Sequence, residues 1–215
     1  MSLKRGEFTG EYITITEESA GEYSEKHSRF LGSITPCKSD EEAAEIIALK
    51  RKKYWDARHA VYAYVLSDGT ARFSDDGEPH GTAGKPVLDI LKSSGITDAV
   101  IVVVRYFGGI LLGTGGLVRA YSSAALSAVE NCEKVRIVEA DKFSLSLNYG
   151  DYDKLTFLLK EAGAGIISTD FADSISVTFA VKGDKTNELL SRISDTFSSV
   201  LVPKFEEKTE MSEKI

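Results

Sequence analysis

Residues 99–104 have the sequence AVIVVV, an apolar run that is β-branched after its first residue. Such a run is typical of a strand that helices cover on both faces, so it predicts the central strand of a sheet. Alternating apolar residues predict further strands between residues 11 and 36 and from His59 to Leu66. Helical spacing predicts a helix after the capping box that starts at Ser39, and another from Gly116 to Glu130. We therefore expect a sheet flanked by helices in this part of the chain.

The order of predicted elements changes after Asn131. Strands and helices then follow as β-α-β-β-α-β, with Asp151 and Asp184 as expected helix N-caps and a last strand from Val200 to Phe205. This order predicts a ferredoxin-like arrangement. The fold class is thus α+β with two domains. The predicted divisions are a first domain at 1–137, a second at 138–206, and a charged tail at 207–215 that we expect to be frayed.

Length and composition limit the class of protein. The chain has 215 residues, 42% of them hydrophobic, which supplies enough apolar surface for packed cores. No apolar run is long enough for a membrane span and the first residues lack a signal-peptide core, so we expect a cytoplasmic protein with no membrane partner. Two cysteines, Cys37 and Cys132, make no disulfide framework, and we expect them to pack in the interior.

The net charge of −7 argues against a general binder of polyanions. The charge is uneven, however. Residues 1–136 contain 17 Lys and Arg against 19 Asp and Glu, whereas residues 137–215 contain 9 against 14. A local basic surface on the first domain is therefore compatible with the composition.

Two glycine-containing loops carry the candidate chemistry: residues 72–85, RFSDDGEPHGTAGK, and residues 105–116, RYFGGILLGTGG. Asp75, Asp76 and Glu78 place three carboxylates within four positions of the first loop. Four interpretations remain open for them: turn and cap chemistry, a site for hydrated Mg²⁺, a general base, or ion pairs with nearby arginines.

The first loop leads into a predicted helix at Gly81-Thr82-Ala83-Gly84-Lys85. A helix N-terminus and a lysine attract anions, so this segment is a candidate phosphate site. Arg105 is a second candidate because it ends the buried strand, where open sheets bind ligands. His59 and His80 fit packing or incidental exposure better than catalysis. No Walker A loop, dinucleotide fingerprint or calcium loop is present.

The two loops, together with Arg29-Phe30 and the RHAVYAY segment at 58–64, resemble the YigZ/IMPACT family. The carrying motifs are DDGEPxGTAGKP at residues 75–86 and RYFGGILLGTGGLVRAY at residues 105–121. The resemblance implies a first domain like the second domain of ribosomal protein S-five and domain IV of elongation factor G. It also implies a ferredoxin-like second domain similar to domain V of that factor. Eukaryotic IMPACT members regulate translation through an additional N-terminal domain, a role that we do not extend to this chain.

The resemblance suggests a translation-associated protein that binds RNA or the ribosome and is not an enzyme. The expected nucleic-acid or anion contacts are Arg29, Arg58, Gly81, Thr82, Gly84, Lys85, Arg105, Gly108, Gly109 and Arg119. The alternative is a metal-dependent enzyme acting on a phosphorylated or peptide-like small molecule, with Asp75, Asp76 and Glu78 holding Mg²⁺; no other cofactor is expected. A third possibility is that the two loops lock together and a protein interface lies on the sheet of the second domain.

Overall fold

The computed structural model describes residues 10–198 and 200–215. The chain forms two compact units. The first contains residues 12–136 with 214–215, and the second contains 137–213 with residues 10–11. Residues 1–9, included in the predicted first domain, lie outside the described residues. Helices and antiparallel sheets in both units give an α+β fold.

The first unit contains six strands and three helices among its described residues. They are β1 (Tyr12–Ile15), β2 (Ser19–Glu25), β3 (Ser28–Pro36), α1 (Asp40–Lys53), β4 (His59–Val65), β5 (Ala71–Ser74), α2 (Gly84–Ser93), β6 (Ala99–Tyr106) and α3 (Gly113–Glu130). Five strands form an antiparallel sheet in the order β2-β3-β6-β4-β5. The predicted central strand is confirmed as β6, which is buried on both faces.

Helices cover both faces of this sheet. The face with Ile101 and Val103 packs in one core with α2 and α3, and the face with Val100 and Val102 packs in another with α1. Small residues let α3 approach closely, because a Cβ added at Gly32 would lie only 2.4 Å from the carbonyl oxygen of Ala124. The alanine-rich face of α3 therefore packs directly on the backbone of the sheet.

The start of α1 agrees with the predicted cap. The hydroxyl of Ser39 accepts a hydrogen bond from the amide of Glu42 at 3.1 Å, and the Glu42 carboxylate accepts one from the amide of Lys38 at 2.7 Å. These bonds satisfy amides that have no partner within the helix. The helix ends at Lys53, and Tyr54 is its C-cap.

The second unit follows the predicted order of elements. These are β7 (Lys134–Leu147), α4 (Tyr149–Glu161), β8 (Gly165–Phe171), β9 (Ile175–Lys182), α5 (Thr186–Thr196) and β10 (Lys204–Lys214), with a short 3-10 turn before α5. Its strands lie in the order β10-β7-β9-β8. The expected N-caps are wrong: Asn148 precedes α4 and Lys185 precedes α5.

The expected frayed tail is also wrong. Strand β10 pairs with β7, and the predicted strand at 200–205 begins only at Lys204. Charged side chains hold it in place: Lys208 lies 2.8 Å from the carboxylate of Asp141, and Lys142 lies 2.9 Å from Glu207. Its many charges looked like a solvated tail in the sequence, but several of them pair with β7.

Candidate functional site

The first glycine-containing loop is organised around the carboxylate of Asp75. Its Oδ2 accepts a hydrogen bond from the amide of Gly81 at 2.9 Å, and its Oδ1 accepts from the amides of Ala83 at 3.1 Å and Gly84 at 2.8 Å. These amides lie at or just before the N-terminus of α2, where an anion is stabilised. Asp75 is therefore the anion that this helix terminus binds.

The predicted phosphate site at Gly81, Thr82 and Gly84 is corrected by this contact. The hydroxyl of buried Thr82 donates to the carbonyl of Pro79 at 2.7 Å. A Cβ at Gly84 would lie 2.6 Å from the carbonyl oxygen of Ser74, so this glycine is needed for close packing against β5. The backbone groups expected to bind a ligand are used to build the loop.

Glu78 and Arg105 join the two loops through a buried ion pair. Nη1 of Arg105 lies 2.7 Å from Oε1 of Glu78, and their side chains are only 7% and 4% exposed. The same oxygen accepts a hydrogen bond from the hydroxyl of Tyr121 at 2.7 Å, and Nε2 of His59 lies 3.8 Å away. Burial and the charge of Glu78 raise the pKa of Tyr121, which keeps its hydroxyl protonated as a donor.

The guanidinium of Arg105 is enclosed by aromatic rings. It lies 5.5 Å from the centroid of Phe30 and 5.4 Å from that of Phe107. Strand register explains this arrangement, because Phe30 on β3 and His59 on β4 both lie opposite Arg105 on β6. The structure therefore does not present Arg105 for the predicted phosphate contact, because its side chain is buried and paired with Glu78.

Asp76 links the first loop to α1 and β4. Its Oδ2 accepts a hydrogen bond from the amide of Ala60 at 2.7 Å, and its Oδ1 accepts one from Arg51. Its carbonyl oxygen lies 2.8 Å from Nδ1 of His59. The residue also has a φ of 44°, a conformation that Asp tolerates better than most side chains.

The three carboxylates do not fit the expected magnesium site. Asp75 binds loop amides, Asp76 binds an amide and Arg51, and Glu78 binds Arg105 and Tyr121. A magnesium site needs carboxylate oxygens that converge on open, hydrated space. Among the described residues, no group of three or more His, Cys, Asp and Glu side chains is arranged to hold a metal ion.

The other predicted contacts are mostly surface ion pairs. Lys85 pairs with Asp89 one turn further along α2, Arg29 makes two hydrogen bonds with Glu22, and Arg119 lies 3.6 Å from Glu25. Exposed pairs of this kind can exchange a carboxylate for another anion at little cost, since each contributes at most about 1 kcal/mol.

The glycines of the second loop differ from each other. A Cβ at Gly108 would lie 2.3 Å from the carbonyl oxygen of His27, and its amide donates to the hydroxyl of Ser28 at 3.1 Å. Gly109 has a φ of 84° and open space around it. The loop thus packs against the β2–β3 turn at one glycine and is open at the next. The two loops meet, and Glu78, Arg105 and Tyr121 fill the space between them.

A different exposed feature lies next to this closed junction. Residues 50–58, KRKKYWDAR, end α1 and form the turn into β4, and Trp55 within them is 83% exposed. Lys52, Lys53 and Arg58 are exposed as well. We call Lys52, Lys53, Trp55 and Arg58 the basic turn. Basic residues at a helix C-terminus interact favourably with the helix dipole, but this interaction does not explain why a tryptophan is exposed beside them.

The basic turn is held firmly to the central strand. The hydroxyl of Tyr106 donates to Asp56 at 2.9 Å, and the amide of Arg58 donates to the carbonyl oxygen of Arg105 at 3.2 Å. Burial and the bond to Asp56 raise the pKa of Tyr106. Of the basic turn, only Arg58 was predicted from the sequence as a functional residue. The available signal was the only tryptophan of the chain directly after four consecutive basic residues and a tyrosine.

Comparison with known proteins gives matches over both units. Family models match for the Impact N-terminal domain at residues 26–129 and for a domain of unknown function (DUF1949) at residues 145–199. The chain is 35% identical to the IMPACT family member YigZ of Escherichia coli over 187 residues, which cover 85% of this chain and 89% of that protein. It is 34% identical to the IMPACT family member YvyE of Bacillus subtilis over 181 residues, or 82% of each protein.

Two further matches differ in extent. Protein IMPACT of Rattus norvegicus is 28% identical over 95 residues, which cover 42% of this chain and 30% of that protein. A crystal structure described as that of a hypothetical protein is 31% identical with a TM-score of 0.61, and the match covers 93% of this chain and 99% of the other. Every helix in the described part of the chain is too short or too polar to span a membrane.

Proposed function

The chain belongs to the IMPACT family, and from this premise we propose that it is a translation-associated, non-enzymatic protein that binds RNA, either free or in the ribosome. The observation that carries the proposal is the basic turn, where exposed Trp55 lies among exposed Lys52, Lys53 and Arg58. Aromatic side chains flanked by cations are typical of surfaces that bind single-stranded RNA.

Trp55 supplies the contact to a base. Its indole ring is 83% exposed, so an unpaired base can stack on it without any rearrangement of the core. Stacking of this kind contributes about 1–3 kcal/mol per base and tolerates any base. We therefore propose recognition of unpaired nucleotides in a loop, bulge or strand end, with little sequence preference.

The cations of the basic turn supply contacts to phosphate. Lys52, Lys53 and Arg58 lie within seven consecutive residues and form no ion pair among the described residues, although Lys53 lies over the ring of Tyr54. Each phosphate contact releases counterions, so three contacts to single-stranded RNA give a slope of about −2 in log affinity against log salt. This local surface reconciles RNA binding with a net charge of −7.

The enzyme alternative has less support. Its proposed groups, Asp75, Asp76 and Glu78, each bind protein partners, so they offer no free base and no metal-binding oxygens that converge. The cytoplasm, where RNA is available, is the location that we propose. We also infer a fold like the second domain of ribosomal protein S-five for the first unit, and a ferredoxin-like fold, as in domain V of elongation factor G, for the second.

Fluorescence anisotropy with a labelled single-stranded RNA tests the proposal on the full chain. Trp55→Ala is expected to weaken binding by about tenfold or more, and Lys52→Ala or Arg58→Ala to reduce the salt slope by about 0.7 each. Two matched controls lie outside the basic turn: Leu49→Ala, another exposed apolar residue of α1, and Lys92→Ala, an exposed lysine in the last turn of α2. Equal affinity of Trp55→Ala and wild type would rule out the basic turn as the binding surface.

A further inference from the structure

Strand β8 is an open edge of the sheet in the second unit. It pairs with β9 on one side, and no described strand pairs with its other side. Ile167 and Phe171 on this strand are 55% and 62% exposed. An edge strand presents a row of backbone amides and carbonyls that can pair with another extended chain.

The two edges of this sheet are built differently. Seven of the eleven residues of β10 are charged, three of them lysines, and such residues discourage further strand pairing. By contrast, Asp170 is the single charged residue of β8, and the strand contains no lysine or proline. Its one protective feature is a register irregularity between Ile166 and Ser168. Pairing with a further strand is therefore disfavoured at β10 and possible at β8.

Aromatic side chains from α4 add apolar surface beside strand β8. Phe171 lies opposite Ile175 in the strand register, on the face that α4 covers. Its ring is 5.6 Å from that of Tyr152 and 6.4 Å from that of Tyr149, which is itself exposed. The hydroxyl of Tyr149 donates to the carbonyl oxygen of Ala172 at 2.8 Å, which fixes its ring beside the strand end. An apolar side chain of an added strand can pack against these rings.

Charge indicates what kind of chain fits this edge. Asp170 and Asp173 are exposed at the end of β8, and residues 137–215 carry 14 acidic against 9 basic residues. A second copy would bring the same acidic surface to the interface, where like charges repel. A segment with basic residues meets opposite charge instead.

We infer that β8 is a docking edge for an extended segment of a partner protein that alternates apolar residues with lysine or arginine. Backbone hydrogen bonds supply affinity in this mode. The aromatic rings beside Phe171 select apolar side chains, and Asp170 and Asp173 select basic ones. The inference depends on the second unit alone, so it stands or falls separately from RNA binding by the basic turn.

A fluorescein-labelled peptide of four Lys-Val repeats is the probe, titrated into the full chain and followed by anisotropy. We expect binding by wild type and a loss of at least tenfold in Ile167→Lys, because the new lysine blocks pairing as lysines do on β10. Phe157→Lys is the matched control, since it adds the same charge at another exposed apolar residue of this unit, and it should bind as wild type does. A peptide methylated at alternate backbone nitrogens should not bind.

Hydrogen exchange of the wild-type chain provides a measurement that needs no variant. Amides of residues 165–171 should exchange more slowly when the Lys-Val peptide is present, whereas those of β10 should not change. The inference is overturned if the Lys-Val peptide does not bind, if the methylated peptide binds equally, or if Ile167→Lys binds as tightly as wild type. It is also overturned if sedimentation shows a wild-type dimer that Ile167→Lys separates, because β8 would then pair with a second copy.

Discussion

The substitution Glu78→Gln tests whether the two glycine-containing loops are locked by a buried charge pair. Gln keeps the size of the side chain and an oxygen near the hydroxyl of Tyr121 and the guanidinium of Arg105, but it removes the negative charge. The Arg105 side chain, which is only 7% exposed, is then left with no carboxylate to neutralise it, and the rings of Phe30 and Phe107 still lie against its guanidinium.

The expected loss follows from that burial. Removing one partner of a buried pair typically costs about 3–5 kcal/mol, because the remaining charge is left uncompensated. Such a loss is a large share of the roughly 5–15 kcal/mol that stabilises a typical protein. Adding Arg105→Met to Glu78→Gln removes the stranded charge, so the double variant should be more stable than the sum of the two single losses by about 2 kcal/mol.

Urea unfolding followed by far-ultraviolet circular dichroism measures these differences. Tryptophan emission is unsuitable, because the only tryptophan is Trp55, which is already exposed in the folded chain. Lys85→Met is the control, since it removes a surface pair with Asp89 and should cost less than about 1 kcal/mol. The account of the locked loops would be refuted if Glu78→Gln lowered the free energy of unfolding as little as Lys85→Met does. It would also be refuted if the double variant lost the sum of the two single losses.

Three further predictions concern other contacts in the first unit. Asp75→Ala should destabilise the chain by about 2 kcal/mol or more in urea unfolding, since it leaves amides at the start of α2 without an acceptor; an unchanged midpoint would contradict this. Gly32→Ala should destabilise the chain because its Cβ would meet the backbone of α3. Gly115→Ala, at a position of α3 with open space around it, should stabilise the chain by up to about 1 kcal/mol. Thermal unfolding should therefore show midpoint shifts of opposite sign for the two variants. Burial raises the pKa of the Cys37 thiol to about 12, so its reactive thiolate is scarce at pH 8. In a Cys132→Ser variant, which leaves Cys37 as the one thiol, Ellman's reagent at pH 8 should react only after denaturation.

The sequence was sufficient for the elements whose pattern is local. The β-branched run at 99–104 predicts the central strand, and the spacing of Ser39 and Glu42 predicts the start of α1. Strand β10 could not be found in this way, because the charges that pair it with β7 come from residues about 65 positions away, as in the Lys142–Glu207 pair. Alternating charge alone does not separate a paired strand from a solvated tail.

The candidate site shows the same limit more clearly. Asp75 and Arg105 are residue types that bind ions, and their loops do meet, but only the folded chain shows that each already has a partner inside the protein. Trp55 was not predicted, because the sequence does not show whether its side chain is buried or exposed. In the structure α1 ends at Lys53, and Trp55 lies exposed in the turn that follows. A shift of one or two residues in a helix end is enough to change which side chains are exposed there.

Intrinsic fluorescence gives the most direct test of RNA binding, since all tryptophan emission of this chain comes from Trp55. The wild-type chain is titrated with unlabelled single-stranded oligouridine at low salt, and the emission is recorded again as salt is added. The account predicts that stacking quenches the emission on binding and that added salt restores it. Unchanged emission at concentrations where anisotropy shows the RNA to be bound would contradict it.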